Sequence, residues 1–160
     1  GALRPRTTPA LATALAARAS RRLVTTALTC ASQLAVRANI ELVVCGGSLP
    51  TESYELVGPL AELTLSNINL DIAIVGVDGV TPSAGFTTHH EVEAHTNRAL
   101  VRAAARVIVV TDSSKIGRRG FAKIADIASA SDIVTDAGAD PMDIAALARP
   151  GPAVPVVRSP

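Results

Sequence analysis

Leu70-Asp71-Ile72-Ala73-Ile74-Val75-Gly76-Val77-Asp78-Gly79 is an apolar run that ends on a carboxylate flanked by glycines. The unbroken Ile72-Ala73-Ile74-Val75 predicts a strand buried on both faces, as in a parallel sheet covered by helices. The Gly76-x-Asp78-Gly79 that follows sets Asp78 at the strand's carboxyl end, the edge where open α/β sheets bind ligands.

Upstream of that run, Leu23 to Thr26 reads as a short strand, Thr29 to Val36 as a helix and Glu41 to Val44 as a second strand entering Cys45-Gly46-Gly47-Ser48. Strand, helix, strand is the rhythm of a parallel sheet. Gly46-Gly47 is either a plain turn or a place where backbone approaches a ligand. Thr8-Pro9 ahead of Leu11, Ala12, Leu15, Ala16 and Ala19 predicts a helix with Thr8 as N-cap and Pro9 at its first position, so Thr7 and Thr8 would sit among free amides suited to phosphate, or serve only as an ordinary cap. Gly58-Pro59 opens another helix, through Leu60, Leu63 and Leu65.

Downstream, Gly76 to Thr88 is long for a strand-to-helix loop, and long ordered loops tend to be functional. Glu91 to Ala105 has helical periodicity, with Val92, Thr96, Ala99, Leu100 and Ala103 on the expected buried face. Glu91, His95, Arg98 and Arg102 fall on a solvated face, while Glu93 and Asn97 flank the buried one, which would let Glu93 point into a cleft at the helix start. Val107 to Val110 is a further buried strand ending in Asp112-Ser113-Ser114-Lys115-x-Gly117. Lys115, just past a strand end, is placed to reach an anionic group or to pair with Asp78 or Asp112, although a surface position is the commoner fate of a lysine. Ile133 to Thr135 and Ala153 to Val157 complete the strands, the last kept at an edge by Pro150, Pro152 and Pro155.

The 160 residues are enough for one domain with a sizeable core, and 48% hydrophobic content excludes overall disorder. With no Trp, one Tyr and two Phe, stacking platforms for nucleic acid are nearly absent. The net charge of +1 hides an uneven distribution, since residues 1–40 hold Arg4, Arg6, Arg18, Arg21, Arg22 and Arg37 and no acid. Such a basic segment would draw in an anionic ligand or simply form solvated helix faces. Cys30 and Cys45 lack metal-type spacing, and no stretch resembles a signal peptide or a membrane span, so a reducing cytoplasm is the expected home.

His89, His90 and His95 beside Glu91 and Glu93 raise zinc, but no further His or Cys completes a ligand set, and no metal is expected. The serine-hydrolase, dinucleotide and P-loop motifs are all missing, and no cofactor is expected. Asp78, Glu93 and Lys115 among threonines and glycines suit a polyhydroxylated phosphate ester, either held unchanged or processed by proton transfer.

In their order and spacing these residues resemble the carboxy-terminal effector-sensing domain of DeoR-type bacterial transcriptional repressors. The resemblance is carried by Thr7-Thr8, Val24-Thr25, Gly46-Gly47, Leu56 to Pro59, Val75 to Gly79, Gly85-Phe86-Thr87-Thr88 with Glu93-Ala94, Asp112 to Gly117 and Thr135-Asp136. It implies an α/β fold with a mainly parallel sheet flanked by helices, similar to ribose-5-phosphate isomerase and glucosamine-6-phosphate deaminase (NagB/RpiA/CoA-transferase-like). Arg4-Pro5-Arg6 stands where the family has an Asp-x-Gly, and the family's first strand is missing; Thr26 and Asn97 replace a usual Asn and Lys.

The resemblance further implies one sensor domain over residues 1–160, cut from a longer protein whose amino-terminal winged helix-turn-helix binds operator DNA. Its ligand would be a phosphorylated sugar, held by Thr7, Thr8, Gly46, Gly47, Asp78, Gly79, Thr87, Thr88, Glu93 and Lys115, with no catalytic residue, no membrane contact and assembly into a homo-oligomer. Two other readings are an active sugar-phosphate isomerase or deaminase using Asp78 or Glu93 as base with Lys115, and a purely structural oligomerisation domain.

Overall fold

The computed structural model describes residues 21–51, 53–149 and 151–157. Thr7, Thr8 and the helix expected after them lie outside this range. The described chain divides into two compact units, one ending at Asn67 and one beginning at Ile68.

In the first unit, β1 (Arg21–Thr25) pairs in parallel with β2 (Ile40–Val44), and α1 (Leu28–Leu34) connects them. Cys30 and Leu34 are buried with Leu23, Ala27, Ile40 and Leu42 packed beside them, a small aliphatic cluster. Thr25 Oγ1 accepts from the Ala27 amide at 3.1 Å, satisfying a backbone donor where the chain turns into α1. Helix α2 (Pro59–Ser66) starts on proline, as its fixed φ favours, after Gly58 at φ 96°.

The second unit is built on a parallel sheet of order β3-β6-β8-β9, formed by Leu70–Gly76, Ala104–Val110, Asp132–Asp136 and Val156–Val157. A second sheet is antiparallel, of order β4-β5-β7, from Gly79–Thr81, Gly85–Thr88 and Ala122–Ala125. Helix α3 (Glu91–Ala103) packs on β3, β5, β6 and β7, and α4 (Pro141–Ala148) begins at Asp140, whose carboxylate accepts from the Met142 amide at 2.7 Å. The core between these layers is aliphatic around one aromatic, with Val75, Val80, Phe86, Val109, Ile133 and Leu147 almost fully buried.

The parallel strands fall where periodicity puts them, and β9 is the edge strand that its flanking prolines require. Three expectations are corrected. Burial of β3 is one-sided: Ala73 and Val75 are buried whereas Ile72 is 47% exposed, because α3 and the core lie on one face of the strand. Val92 of α3 is exposed, and Ala94 and Thr96 are its buried residues, with Leu100 and Val101 packed against the core. Residues 76–88, read as a long loop, are largely the β4-β5 hairpin, which pairs with β7.

Candidate functional site

The ends of three parallel strands define the site. Gly76 is in register with Val110, and Val110 with Val134. Two residues past each stands an aspartate, Asp78, Asp112 and Asp136, so three carboxylates occur at equivalent positions along the carboxyl edge of the sheet. Adjacent like charges repel, and each is offset differently.

Asp78 is offset by a cation. Lys115, only 4% exposed, donates from Nζ to Asp78 Oδ1 at 3.1 Å and to the Val77 carbonyl at 3.2 Å. Asp78 Oδ2 accepts from Thr88 Oγ1 at 2.8 Å and from the His89 amide at 3.3 Å. Burial pushes the Asp78 carboxyl up, but the hydrogen bonds from Thr88 and Lys115, the Lys115 charge and the His89 amide together outweigh it and hold it below the usual carboxylate range. Asp112 caps the short turn Ser113–Lys115 by accepting from the Ser114 amide at 3.0 Å and from the Ser114 hydroxyl. That turn is what carries Lys115 back to Asp78.

Asp136 accepts from the Ser113 amide and from the Gly138 amide, both at 2.8 Å, and these bonds hold its carboxyl below the usual range. Asp78 and Asp136 are depressed in the folded chain, so the unfolded chain binds more protons as pH falls through the range below about 4. Their contribution is complete above the unfolded value and is lost as pH drops through the folded one. Urea unfolding between pH 2 and pH 7 is expected to show this acid loss, and Asp136→Asn to flatten it.

Glu93, in the first turn of α3, places Oε2 at 3.1 Å from Thr88 Oγ1. Thr88 has one hydroxyl hydrogen to offer two carboxylates, and Asp78 is the nearer. Asp78, Thr88, Glu93 and Lys115 therefore form one connected cluster. Its formal charge is negative, two carboxylates against one ammonium, which suits a ligand that donates hydroxyls more than one presenting phosphate.

The remaining candidate residues are placed differently. The buried Thr87 hydroxyl donates to the Gly79 carbonyl at 3.1 Å and accepts from the Gly120 amide at 2.8 Å, so it ties the hairpin to the 117–120 loop. Gly79 leaves no room for a side chain, since a Cβ there would lie 2.5 Å from the Arg118 carbonyl oxygen. Gly46 and Gly47 belong to the first unit, where Gly47 closes on the backbone of Val57, 2.5 Å from an added Cβ. Among the described residues, no three of His, Cys, Asp and Glu come together as a metal-binding group, and no helix is long and apolar enough to cross a membrane.

Backbone groups were beyond the reach of motif reading: the Val77 carbonyl, the His89 amide and the Gly120 amide all position site residues, yet any residue type supplies them. At Gly120 the backbone approach is close, since a Cβ there would meet the Thr88 carbonyl oxygen at 2.6 Å.

Residues 6–137 match the family model described as the DeoR C terminal sensor domain. The chain is 37% identical over 115 residues to the putative aga operon transcriptional repressor of Escherichia coli O157:H7, covering 72% of this chain and 43% of that protein. It is 30% identical over 132 residues to the glycerol-3-phosphate regulon repressor of Escherichia coli strain K12, covering 82% and 52% respectively. With the transcriptional repressor GlcR of Bacillus subtilis strain 168 the identity is 30% over 113 residues, 71% of this chain and 43% of that protein. The chain thus spans about half the length, or less, of these relatives. The match over most of its length, including the strand-end aspartates and Lys115, makes the chain a member of the DeoR C-terminal sensor domain family.

Proposed function

We propose that this chain is the effector-sensing part of a sugar-responsive transcriptional repressor, binding a phosphorylated sugar without turning it over. The observation that carries this reading is the Asp78-Thr88-Glu93-Lys115 cluster at the sheet's carboxyl edge in a chain of this family. Asp78 and Glu93 would accept the sugar hydroxyls, with Lys115 and Thr88 fixing Asp78 in place. Thr87 and Gly79 support the hairpin beneath them. The net negative cluster does not favour phosphate, which is left to the residues expected from the sequence pattern, Thr7, Thr8, Gly46 and Gly47.

The wider reading is a ribose-5-phosphate isomerase-like fold without catalysis, in a cytoplasmic homo-oligomer. Asp78 is held in its charged form by three donors, the Thr88 hydroxyl, the His89 amide and the Lys115 ammonium, a poor arrangement for a base that must take and release a proton near neutrality. Differential affinity of the sugar phosphate for two states of the whole regulator would transmit the signal to a DNA-binding helix-turn-helix.

A thermal-shift screen of sugar phosphates tests this directly. The cognate one at 100 times its dissociation constant is expected to add about 2.7 kcal/mol of stability. Glu93→Gln, which keeps shape and removes charge, is expected to weaken that ligand by about tenfold, the loss of one charge-assisted hydrogen bond. A flat response to every sugar phosphate, or measurable turnover of one, contradicts the proposal.

A further inference from the structure

The first turn of α3 brings Glu93 into the cluster described above; its later turns carry Arg98 and Arg102, one turn apart on the same side. The spacing reads as a solvated face, but the structure sets both arginines along a cavity of about 460 Å³ between the helix and β7. The cavity is also lined by Lys123 and Asp126, and by Val101 and Ile124. None of these residues belongs to the Asp78 site.

Two features make this cavity more than a crease between helix and strand. Arg98 is held in place, because its Nε and Nη2 donate to the Lys123 carbonyl at 3.0 and 2.8 Å, leaving Nη1 for another acceptor. Its charge is also unbalanced. Asp126 pairs with Lys123 at 2.5 Å, while Arg102 has no hydrogen-bond or ion-pair partner among the described residues, so three cations face one acid. Two arginines at i and i+4 repel each other, and an anion between them relieves that repulsion. The volume lies in the range of small-molecule sites, and Val101 and the buried Ile124 supply an apolar wall.

We propose that this cavity is a second binding site, for a small molecule carrying a doubly charged anionic group, phosphate monoester or dicarboxylate, on an apolar body. Arg98 Nη1, Arg102 and Lys123 hold the anion, and Val101 and Ile124 receive the apolar part. Because the site shares α3 with the Asp78 cluster but none of its residues, it stands whether or not that cluster binds a sugar.

Amide NMR of the whole chain at low salt, titrated separately with phenyl phosphate and phenylmalonate, tests it. At least one probe is expected to give saturable shifts at Arg98 to Arg102 and at Lys123 to Ser129, and the probe that binds identifies the head group. Arg102 is exposed, so Arg102→Gln does not threaten folding; it is expected to weaken the bound probe by about tenfold. The proposal is overturned if neither probe shifts these amides saturably, if Arg102→Gln binds as tightly as the unaltered chain, or if the shifts are confined to Asp78, Thr88 and their neighbours.

Discussion

Asp78→Ala is expected to destabilise the second unit by about 3 kcal/mol, read as a lower urea midpoint, because it strands a buried ammonium. The Lys115 side chain is 6% exposed and its contacts are Asp78 Oδ1 and the Val77 carbonyl. With the carboxylate gone, one neutral carbonyl is left to offset a full charge taken out of water. The Asp78 side chain is 24% exposed, which permits some rehydration and holds the estimate at the lower end of the usual 3–5 kcal/mol or so for breaking a buried pair.

The reverse change should cost less. Lys115→Met leaves Asp78 with the Thr88 hydroxyl, the His89 amide and partial solvent access. In the double variant Asp78→Ala/Lys115→Met no charge is buried, and much of the loss should be recovered, so the two single effects will not add. If they do add, Lys115 is not relying on Asp78 and the cluster is misread. The same variants divide stability from function, since Glu93→Gln should reduce ligand affinity while leaving the urea midpoint almost unchanged.

How much of this arrangement was legible depended on how local its cause is. The parallel strands could be read because Ala73-Ile74-Val75 and Val107-Ile108-Val109 are β-branched or small runs of the right length, bounded by glycine or by Asp112. Lys115 could be placed near an acid because a short turn after a strand end limits its reach. Its choice of Asp78 over Asp112 could not be read, since Asp112 is nearer in sequence but is taken up in capping the turn that carries Lys115.

The antiparallel β4-β5-β7 sheet was illegible for a different reason. Its strands are three or four residues long, and β7 lies far along the chain from the hairpin it joins. Short strands have too few positions to establish period two, and Thr87-Thr88 read as ligand contacts because hydroxyls at a strand end suit either role. Ala122 and Ile124 buried with Lys123 exposed is a period-two pattern, visible once a partner is known. Similarly, Arg98 looked solvated because helical spacing shows which residues share a face but not what lies opposite.

Gly85→Ala should have the second large effect, because two separate costs fall on the residue that opens β5. Gly85 adopts φ +73°, a left-handed conformation that costs an L-residue roughly 1–2 kcal/mol. An added Cβ would also lie 2.2 Å from the Ala125 carbonyl oxygen and 3.0 Å from Asp126 Cα, both backbone atoms with no rotamer to escape into. Forcing such an overlap adds about 1–3 kcal/mol, so the total is expected near 2–5 kcal/mol. Gly117→Ala separates the two contributions. Gly117 sits at φ +79° with nothing within 4 Å of a Cβ, so it bears the conformational cost alone. Gly76→Ala, with open space and no left-handed φ, bears neither and should be almost silent. The ordering Gly85 above Gly117 above Gly76 in loss of urea midpoint is the expected result, and equal losses at Gly85 and Gly117 would show that β5 and β7 do not meet as closely as described. Because β5 carries Thr88 to Asp78 and Glu93, a chain that survives Gly85→Ala should also bind the proposed sugar phosphate more weakly, through a displaced Thr88 hydroxyl rather than any lost contact at residue 85.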